Sequence, residues 1–158
     1  VCAHLWEQLG AKRPRFVIVE PDKAACLFES AKQGKPVAVH GELDTVMAGL
    51  ACGEVSLLAW EILKPGAQAF LTIDDESALE AMRILADGRF GDAPIVAGES
   101  AVAGLVGALA AAGDAELRKQ LDLNESSRVL VFGSEGATDP ELYQRIVGKP
   151  AEAIKVAA

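Results

Sequence analysis

Two nearly unbroken apolar runs place the strongest constraint on the fold of this chain. Residues 15–19 read RFVIV and residues 129–132 read VLVF, and each run leads through a polar turn into a helix start. Strands that are buried on both faces have this pattern, which is typical of parallel sheets covered by helices. The runs therefore predict an α/β fold with a mostly parallel sheet and helices on both faces.

Periodicity and helix signals assign the remaining segments in alternation. The predicted helices cover residues 1–9, 23–32, 56–64, 75–87, 99–112 and 114–121 and a last helix from Pro140, and the predicted strands cover 15–19, 68–73 and 128–132. Asp22 is expected to cap the second helix, and Thr138 with Glu141 to form a capping box before the last. No repeat or linker divides the chain, so residues 1–158 are predicted to form a single α/β unit.

Charge and composition exclude several classes of partner. The net charge of −8 provides no basic stripe to meet phosphates, so we expect neither nucleic acid nor an anionic membrane as partner. The apolar residues 101–113 are fewer than the roughly 20 that a membrane span needs, so they predict a buried helix. Cys2, Cys26 and Cys52 match no zinc spacing, so no metal site is predicted.

An odd number of cysteines without a metal pattern is typical of a reduced cytoplasmic protein. Cys26 and Cys52 remain a candidate redox pair, because both are expected near a loop. Residues 1–9 keep helical spacing from the first position without a start signal, so we expect further sequence upstream.

The turn Gly133-Ser134-Glu135-Gly136 follows the second apolar run directly. It lacks the Gly-Lys-Ser/Thr of a P-loop and the leading GxG of a dinucleotide fingerprint, and Ser134 is not in a G-x-S-x-G elbow. His4 and His40 are the only histidines, which gives a Ser-His triad little support. Two interpretations stay open: a ligand site at the end of a strand, and a plain strand-to-helix turn.

Four blocks in order carry a family resemblance: VIVEPDKAACLFES, GELDTVMAGLACGEVSLLAWEIL, APIVAGESAVAGL and VLVFGSEGATDP. They resemble the C-terminal part of the diaminopropionate ammonia-lyases. That family belongs to the pyridoxal-phosphate enzymes of the tryptophan-synthase-β type, and threonine dehydratase is a relative. The resemblance covers about residues 1–148, and its most distinctive blocks are MAGLACGE and SEGATD.

The resemblance implies part of the large domain of a fold-type-II pyridoxal-phosphate enzyme. The full-length protein would convert 2,3-diaminopropionate to pyruvate and ammonia by α,β-elimination, as a cytoplasmic homodimer that binds a small amino-acid substrate. Three alternatives remain: a threonine or serine dehydratase-like lyase, a non-catalytic α/β module that binds a small ligand, and a structural remnant that only dimerises.

The resemblance also implies which residues approach pyridoxal phosphate. Ser134 would hydrogen-bond the pyridine nitrogen, and Gly133 and Gly136 would let the backbone pass close to the ring. For Glu135, solvent exposure and a role in orienting the site are equally open. Glu99 lies in a turn that approaches the cofactor in similar enzymes, but it could instead complement a helix N-terminus.

The segment from His40 to Thr45 resembles a loop that borders the substrate, with Asp44 and Thr45 as its candidate contacts. A polar surface loop is the alternative. Met47, Leu50 and Trp60 are expected in the core, and the acidic residues 74–76 are expected to be a helix N-terminal cluster.

None of the lysines lies in the sequence context of the family's cofactor lysine, and the phosphate-binding loop would precede Val1. We therefore expect no catalytic residue in this chain, which would carry one wall of the site. Alone, it would neither catalyse the reaction nor retain pyridoxal phosphate.

Overall fold

A two-stranded parallel sheet lies at the centre of the computed structural model, which describes residues 1–154. The strands are β1 (Val17–Pro21) and β2 (Ala69–Ile73). The helices are α1 (Cys2–Leu9), α2 (Cys26–Gln33), α3 (Leu57–Gly66), α4 (Asp75–Asp87), α5 (Ala103–Gly113), α6 (Ala115–Leu121) and α7 (Pro140–Val147). Short 3-10 turns cover Gly10–Lys12, Asp22–Ala24, Ala48–Leu50 and Ala151–Ala153.

Helices cover both faces of the sheet, as the sequence predicts. Val19 of β1 lies opposite Leu71 of β2, and a Cβ at Gly107 of α5 would lie 2.5 Å from the Val19 side chain. The missing side chain at Gly107 therefore lets α5 approach this face. Phe70 precedes Leu71 and so points to the other face, where its ring centroid lies 6.5 Å from that of Trp60 on α3.

The helix bounds agree best with the sequence where capping residues determine them. Helix α4 has the predicted bounds, because Asp74 accepts a hydrogen bond from the Ser77 N–H at 2.7 Å and Gly88 ends the helix at φ 57°. The buried helix expected in residues 101–113 is α5. Among the helices of residues 1–154, none is both long and apolar enough to cross a membrane.

The predicted cap of the second helix is wrong. Asp22 belongs to a 3-10 turn, and α2 begins only at Cys26. The buried carboxylate of Glu20, at the end of β1, accepts hydrogen bonds from the N–H groups of Leu27 at 3.0 Å and Phe28 at 2.7 Å. The end of the strand thus supplies the negative charge that the helix N-terminus favours.

The predicted capping box before the last helix is also wrong. Asp139, and not Thr138, is the N-cap of α7, and its Oδ1 accepts a hydrogen bond from the Leu142 N–H at 2.9 Å. Pro140 takes the first helical position, where its missing N–H costs no hydrogen bond.

The strand predicted at residues 128–132 is not present. The side chains of Val129, Leu130, Val131 and Phe132 are exposed by 61, 72, 42 and 56%. A strand requires a neighbour that accepts and donates its backbone hydrogen bonds, and the sheet of the described chain contains only β1 and β2.

The core lies between the sheet, α4, α5 and α7. Met47 lies in this core with 0% exposure, and Leu50 packs against it. Trp60 is also buried as predicted, at 2% exposure, but on the opposite face of the sheet beside Phe70. Tyr143 of α7 is 1% exposed, and its hydroxyl has no hydrogen-bond partner within residues 1–154.

Candidate functional site

The Ser134 turn packs directly against the turn that precedes α5. The Gly98 N–H donates to the Glu135 carbonyl oxygen at 3.1 Å, and a Cβ at Gly98 would lie 2.4 Å from the Gly136 carbonyl oxygen. A Cβ at Gly133 would lie 3.4 Å from the backbone of residue 101. Five of the predicted site residues therefore lie on two joined turns, where the Ser134 side chain is exposed.

The side chain of Glu135 is hydrogen-bonded across this junction. Its Oε2 accepts a hydrogen bond from the Ser100 N–H at 2.8 Å, and its Oε1 accepts one from the Thr138 hydroxyl at 3.5 Å. The side chain is half-buried. Of the two interpretations left open for Glu135, this contact favours a role in orienting the turns.

Glu99 is a buried carboxyl group at the same junction, with 8% exposure. Burial raises the pKa of Glu99, and the carboxylates of Glu135 and Asp139 raise it further. Helix α5 begins only at Ala103, with Val102 as its N-cap, so Glu99 does not cap it. A carboxyl group with a raised pKa takes up a proton at a higher pH than an ordinary glutamate, and its protonated form can donate a hydrogen bond.

Ser100 joins a third segment to the two turns. Its hydroxyl oxygen accepts a hydrogen bond from the Gly49 N–H at 3.0 Å, while its own N–H donates to Glu135. No local sequence pattern points to this role of Ser100, because its partners lie 51 and 35 residues away along the chain.

In the candidate substrate loop, the hydroxyl of Thr45 is hydrogen-bonded to other residues of the protein. The Thr45 hydroxyl donates to Asp75 Oδ1 and accepts from the Met47 N–H at 3.2 Å, whereas the Asp44 side chain is exposed. Asp44 is therefore the one of the two whose side chain is open to a ligand, and the contact of either residue with substrate stays a prediction.

Asp75 does more than contribute to an acidic helix start. Its Oδ1 also accepts from the Val46 N–H at 3.2 Å, and its Oδ2 pairs with Lys23 Nζ at 2.8 Å. Burial acts to raise the pKa of Asp75, but the bonds from Lys23, Thr45 and Val46 outweigh it and lower that pKa below 3.8. Asp75 thus holds residues 45–47 against α4.

The three cysteines are free thiols, with Cys26 buried and Cys52 exposed. Burial, the Glu20 carboxylate 3.7 Å from its sulfur, and Cys52 raise the pKa of Cys26 to about 11. A disulfide between Cys26 and Cys52 is not formed in this structure and stays a prediction. Within residues 1–154, no group of three or more His, Cys, Asp or Glu side chains is placed to bind a metal.

Comparison with known proteins assigns the chain to a family of enzymes. Residues 1–135 match the family of pyridoxal-phosphate dependent enzymes. The chain therefore belongs to this family of enzymes, and the predicted α/β fold of the fold-type-II members is confirmed. Within the family, it is 42% identical over 158 residues to the diaminopropionate ammonia-lyase of Escherichia coli K12, covering 98% of this chain and 39% of that enzyme. The enzyme of Salmonella typhimurium is 38% identical over 154 residues, covering 93% of this chain and 38% of that enzyme.

Solved structures support the same relationship. Holo diaminopropionate ammonia-lyase from Escherichia coli superimposes with a TM-score of 0.82 at 37% identity, over 93% of this chain and 37% of that one. Maize serine racemase, at 20% identity and a TM-score of 0.67 over 90% of this chain and 40% of that one, shares the fold. The chain thus spans about two fifths of the length of the relatives it matches.

Proposed function

We propose that this chain is part of a pyridoxal-phosphate-dependent ammonia-lyase that converts 2,3-diaminopropionate to pyruvate and ammonia by α,β-elimination. The observation that carries the proposal is the identity of 42% to an enzyme of that name over 98% of the chain, which includes the Ser134 turn. Because the chain spans only part of its relatives, the activity belongs to a full-length protein. The chain alone is proposed to be inactive and not to retain the cofactor.

The chemistry of the joined turns fits pyridoxal phosphate. The cofactor, when bound, supplies an electron-withdrawing ring that stabilises negative charge on the substrate. The exposed Ser134 hydroxyl is a neutral group that can donate or accept a hydrogen bond at the pyridine nitrogen. The neighbouring carboxylate of Glu135 is already bonded to the Ser100 N–H, so a neutral partner remains for that nitrogen.

We assign supporting roles to the other residues of these turns. Gly133 and Gly136 would permit close approach of the backbone to the ring. Glu99, a buried carboxyl group at the same junction, would face the cofactor. A serine, unlike a carboxylate, does not force a proton onto the ring nitrogen. Without that proton the ring withdraws electron density less strongly from the substrate, and this favours elimination over transamination.

The substrate and assembly are proposed on the resemblance. A relative was solved in complex with D-serine, which agrees with a small amino acid as the substrate class here, bordered by Asp44 and Thr45. We further propose a homodimer in the cytoplasm. Free thiols in a family of metabolic enzymes support that compartment.

Turnover of 2,3-diaminopropionate by the full-length protein tests the proposed function. We expect one pyruvate and two ammonia for each 2,3-diaminopropionate consumed, because elimination releases the β-amino group and hydrolysis releases the α-amino group. Strong deamination of threonine with no pyruvate from 2,3-diaminopropionate would instead assign the protein to the dehydratases.

The role of Ser134 has its own test. Ser134→Ala and Ser134→Asp should each change the absorbance spectrum of the bound cofactor, and Ser134→Asp should increase side reactions at the expense of elimination, because a carboxylate favours a protonated ring nitrogen. The matched variants at exposed Ser126 should change neither property. Unchanged spectra and turnover in both Ser134 variants would remove Ser134 from the site.

A further inference from the structure

We infer that Glu135 is a positioning residue, which holds Ser134 in register with Glu99 by bonding to the backbone of Ser100. The inference rests on the proposed function, because it gives the Ser134 turn a cofactor to face. It gives Glu135 a role in supporting the site, which is one of the two interpretations that the sequence leaves open for this residue.

The contacts of Glu135 span both turns. Its backbone carbonyl accepts from the Gly98 N–H at 3.1 Å, and its carboxylate accepts from the Ser100 N–H at 2.8 Å. One residue thus makes a main-chain and a side-chain bond to amides two positions apart. A hydrogen bond to a charged acceptor is stronger than one to a neutral acceptor, so the side-chain bond is the stronger of the pair.

The two turns are closely packed around Gly98. A Cβ there would lie 2.4 Å from the Gly136 carbonyl oxygen and 2.8 Å from Glu135 Cγ, so the turns already touch at van der Waals distance. A small displacement of the Ser134 turn therefore breaks the contact with Gly98 and the bond to Ser100 together.

The bond of Ser100 to Gly49 extends the support to a third segment. The Ser100 hydroxyl accepts from the Gly49 N–H at 3.0 Å, so the residue that Glu135 holds also carries the segment Ala48–Leu50. Loss of the Glu135 carboxylate would leave Ser100 bonded to Gly49 but no longer bonded to the Ser134 turn through its N–H. The buried carboxyl group of Glu99 lies close enough to the Glu135 carboxylate for the charge of Glu135 to raise its pKa.

Hydrogen exchange at single amides in the cofactor-free full-length protein tests the support directly. Glu135→Ala should accelerate exchange at the Ser100 N–H by roughly 10- to 100-fold, the range expected for losing a hydrogen bond to a charged acceptor. Glu135→Gln keeps an acceptor oxygen and should largely restore the slow exchange. Glu61→Ala, a change at an exposed glutamate of α3, should leave it as in the wild type.

The cofactor provides the second readout. In protein loaded with pyridoxal phosphate, Glu135→Ala should weaken cofactor binding and alter the cofactor absorbance spectrum, and Glu135→Gln should restore both. Unchanged exchange at Ser100 in Glu135→Ala overturns the inference. Faster exchange with unchanged cofactor affinity and spectrum overturns it as well, because the turn would then be held without consequence for the site.

These results are separable from the proposed function itself. A wild-type full-length protein that binds no pyridoxal phosphate would refute the proposed function, and with it the role of Glu135 in holding a cofactor-facing turn. A wild-type protein that binds the cofactor but does not act on 2,3-diaminopropionate would refute only the substrate, and both Glu135 readouts would still apply.

Discussion

Replacing Asp75 should release the loop at residues 45–47 from helix α4. Asp75→Ala removes the acceptor of two hydrogen bonds, from the Thr45 hydroxyl and the Val46 N–H, and one side of the ion pair with Lys23. The Lys23 side chain is 50% exposed, so solvent screens the ion pair and it contributes little. The loss therefore comes mainly from the two hydrogen bonds.

The expected magnitude follows from the character of those bonds. Each has a charged acceptor and partial burial, so a value at the low end of the range, ~1.5 kcal/mol per bond, gives about 3 kcal/mol for opening the loop. Exchange at the Val46 and Met47 amides should accelerate about 100-fold, since ~1.4 kcal/mol corresponds to a factor of ten. Asp75→Asn keeps a neutral acceptor and should give roughly a tenth of that acceleration.

Lys23→Ala is the matched control, because it removes the ion pair and leaves both hydrogen bonds in place. It should accelerate exchange by less than about fivefold. Since the pKa of Asp75 is lowered below 3.8, the stabilisation is complete above that pH and is lost as the pH falls through the folded-state pKa. Exchange at Val46 that is no faster in Asp75→Ala than in Lys23→Ala would refute the reasoning.

Three further changes follow from the packing. Tyr143→Phe should raise the free energy of unfolding by ~1 kcal/mol, measured in urea, because it removes a buried hydroxyl without a partner in the described residues; a loss of stability would contradict this. Alkylation at pH near 7 should modify Cys52 well before Cys26, which is buried with a pKa of about 11, and equal rates would contradict it. Gly98→Ala should lower the melting temperature, because its Cβ would lie 2.4 Å from the Gly136 carbonyl oxygen; an unchanged value would show that the turns are not in contact.

The sequence predicts those elements whose signals are local. Helix α4 has the expected bounds because its N-cap and its terminating glycine lie beside it, and α5 is recognisable from its unbroken apolar character. The N-cap of α7 can also be predicted from the sequence, because a proline at the first helical position indicates that the preceding Asp139 is the N-cap.

Contacts between distant segments lie beyond a local interpretation. Ser100 acquires its role from Gly49 and Glu135, and Glu20 caps α2 from the end of a strand. The strand expected at residues 128–132 is wrong for a related reason: apolar character predicts burial and extension, but a strand also needs a hydrogen-bonding neighbour. The family resemblance predicts a site at the Ser134 turn, and the structure shows which contacts hold that turn in place.

The apolar segment at residues 129–132 also influences how this chain behaves in solution. Its backbone pairs with no strand of the described chain, and Leu130 is 72% exposed. Such a segment is a template to which an extended strand of another molecule can add, and only Arg128 stands directly beside it as a charged gatekeeper. The 158-residue chain expressed on its own would therefore aggregate in a concentration-dependent way. Lysine in place of Leu130 would delay the aggregation without disturbing the core.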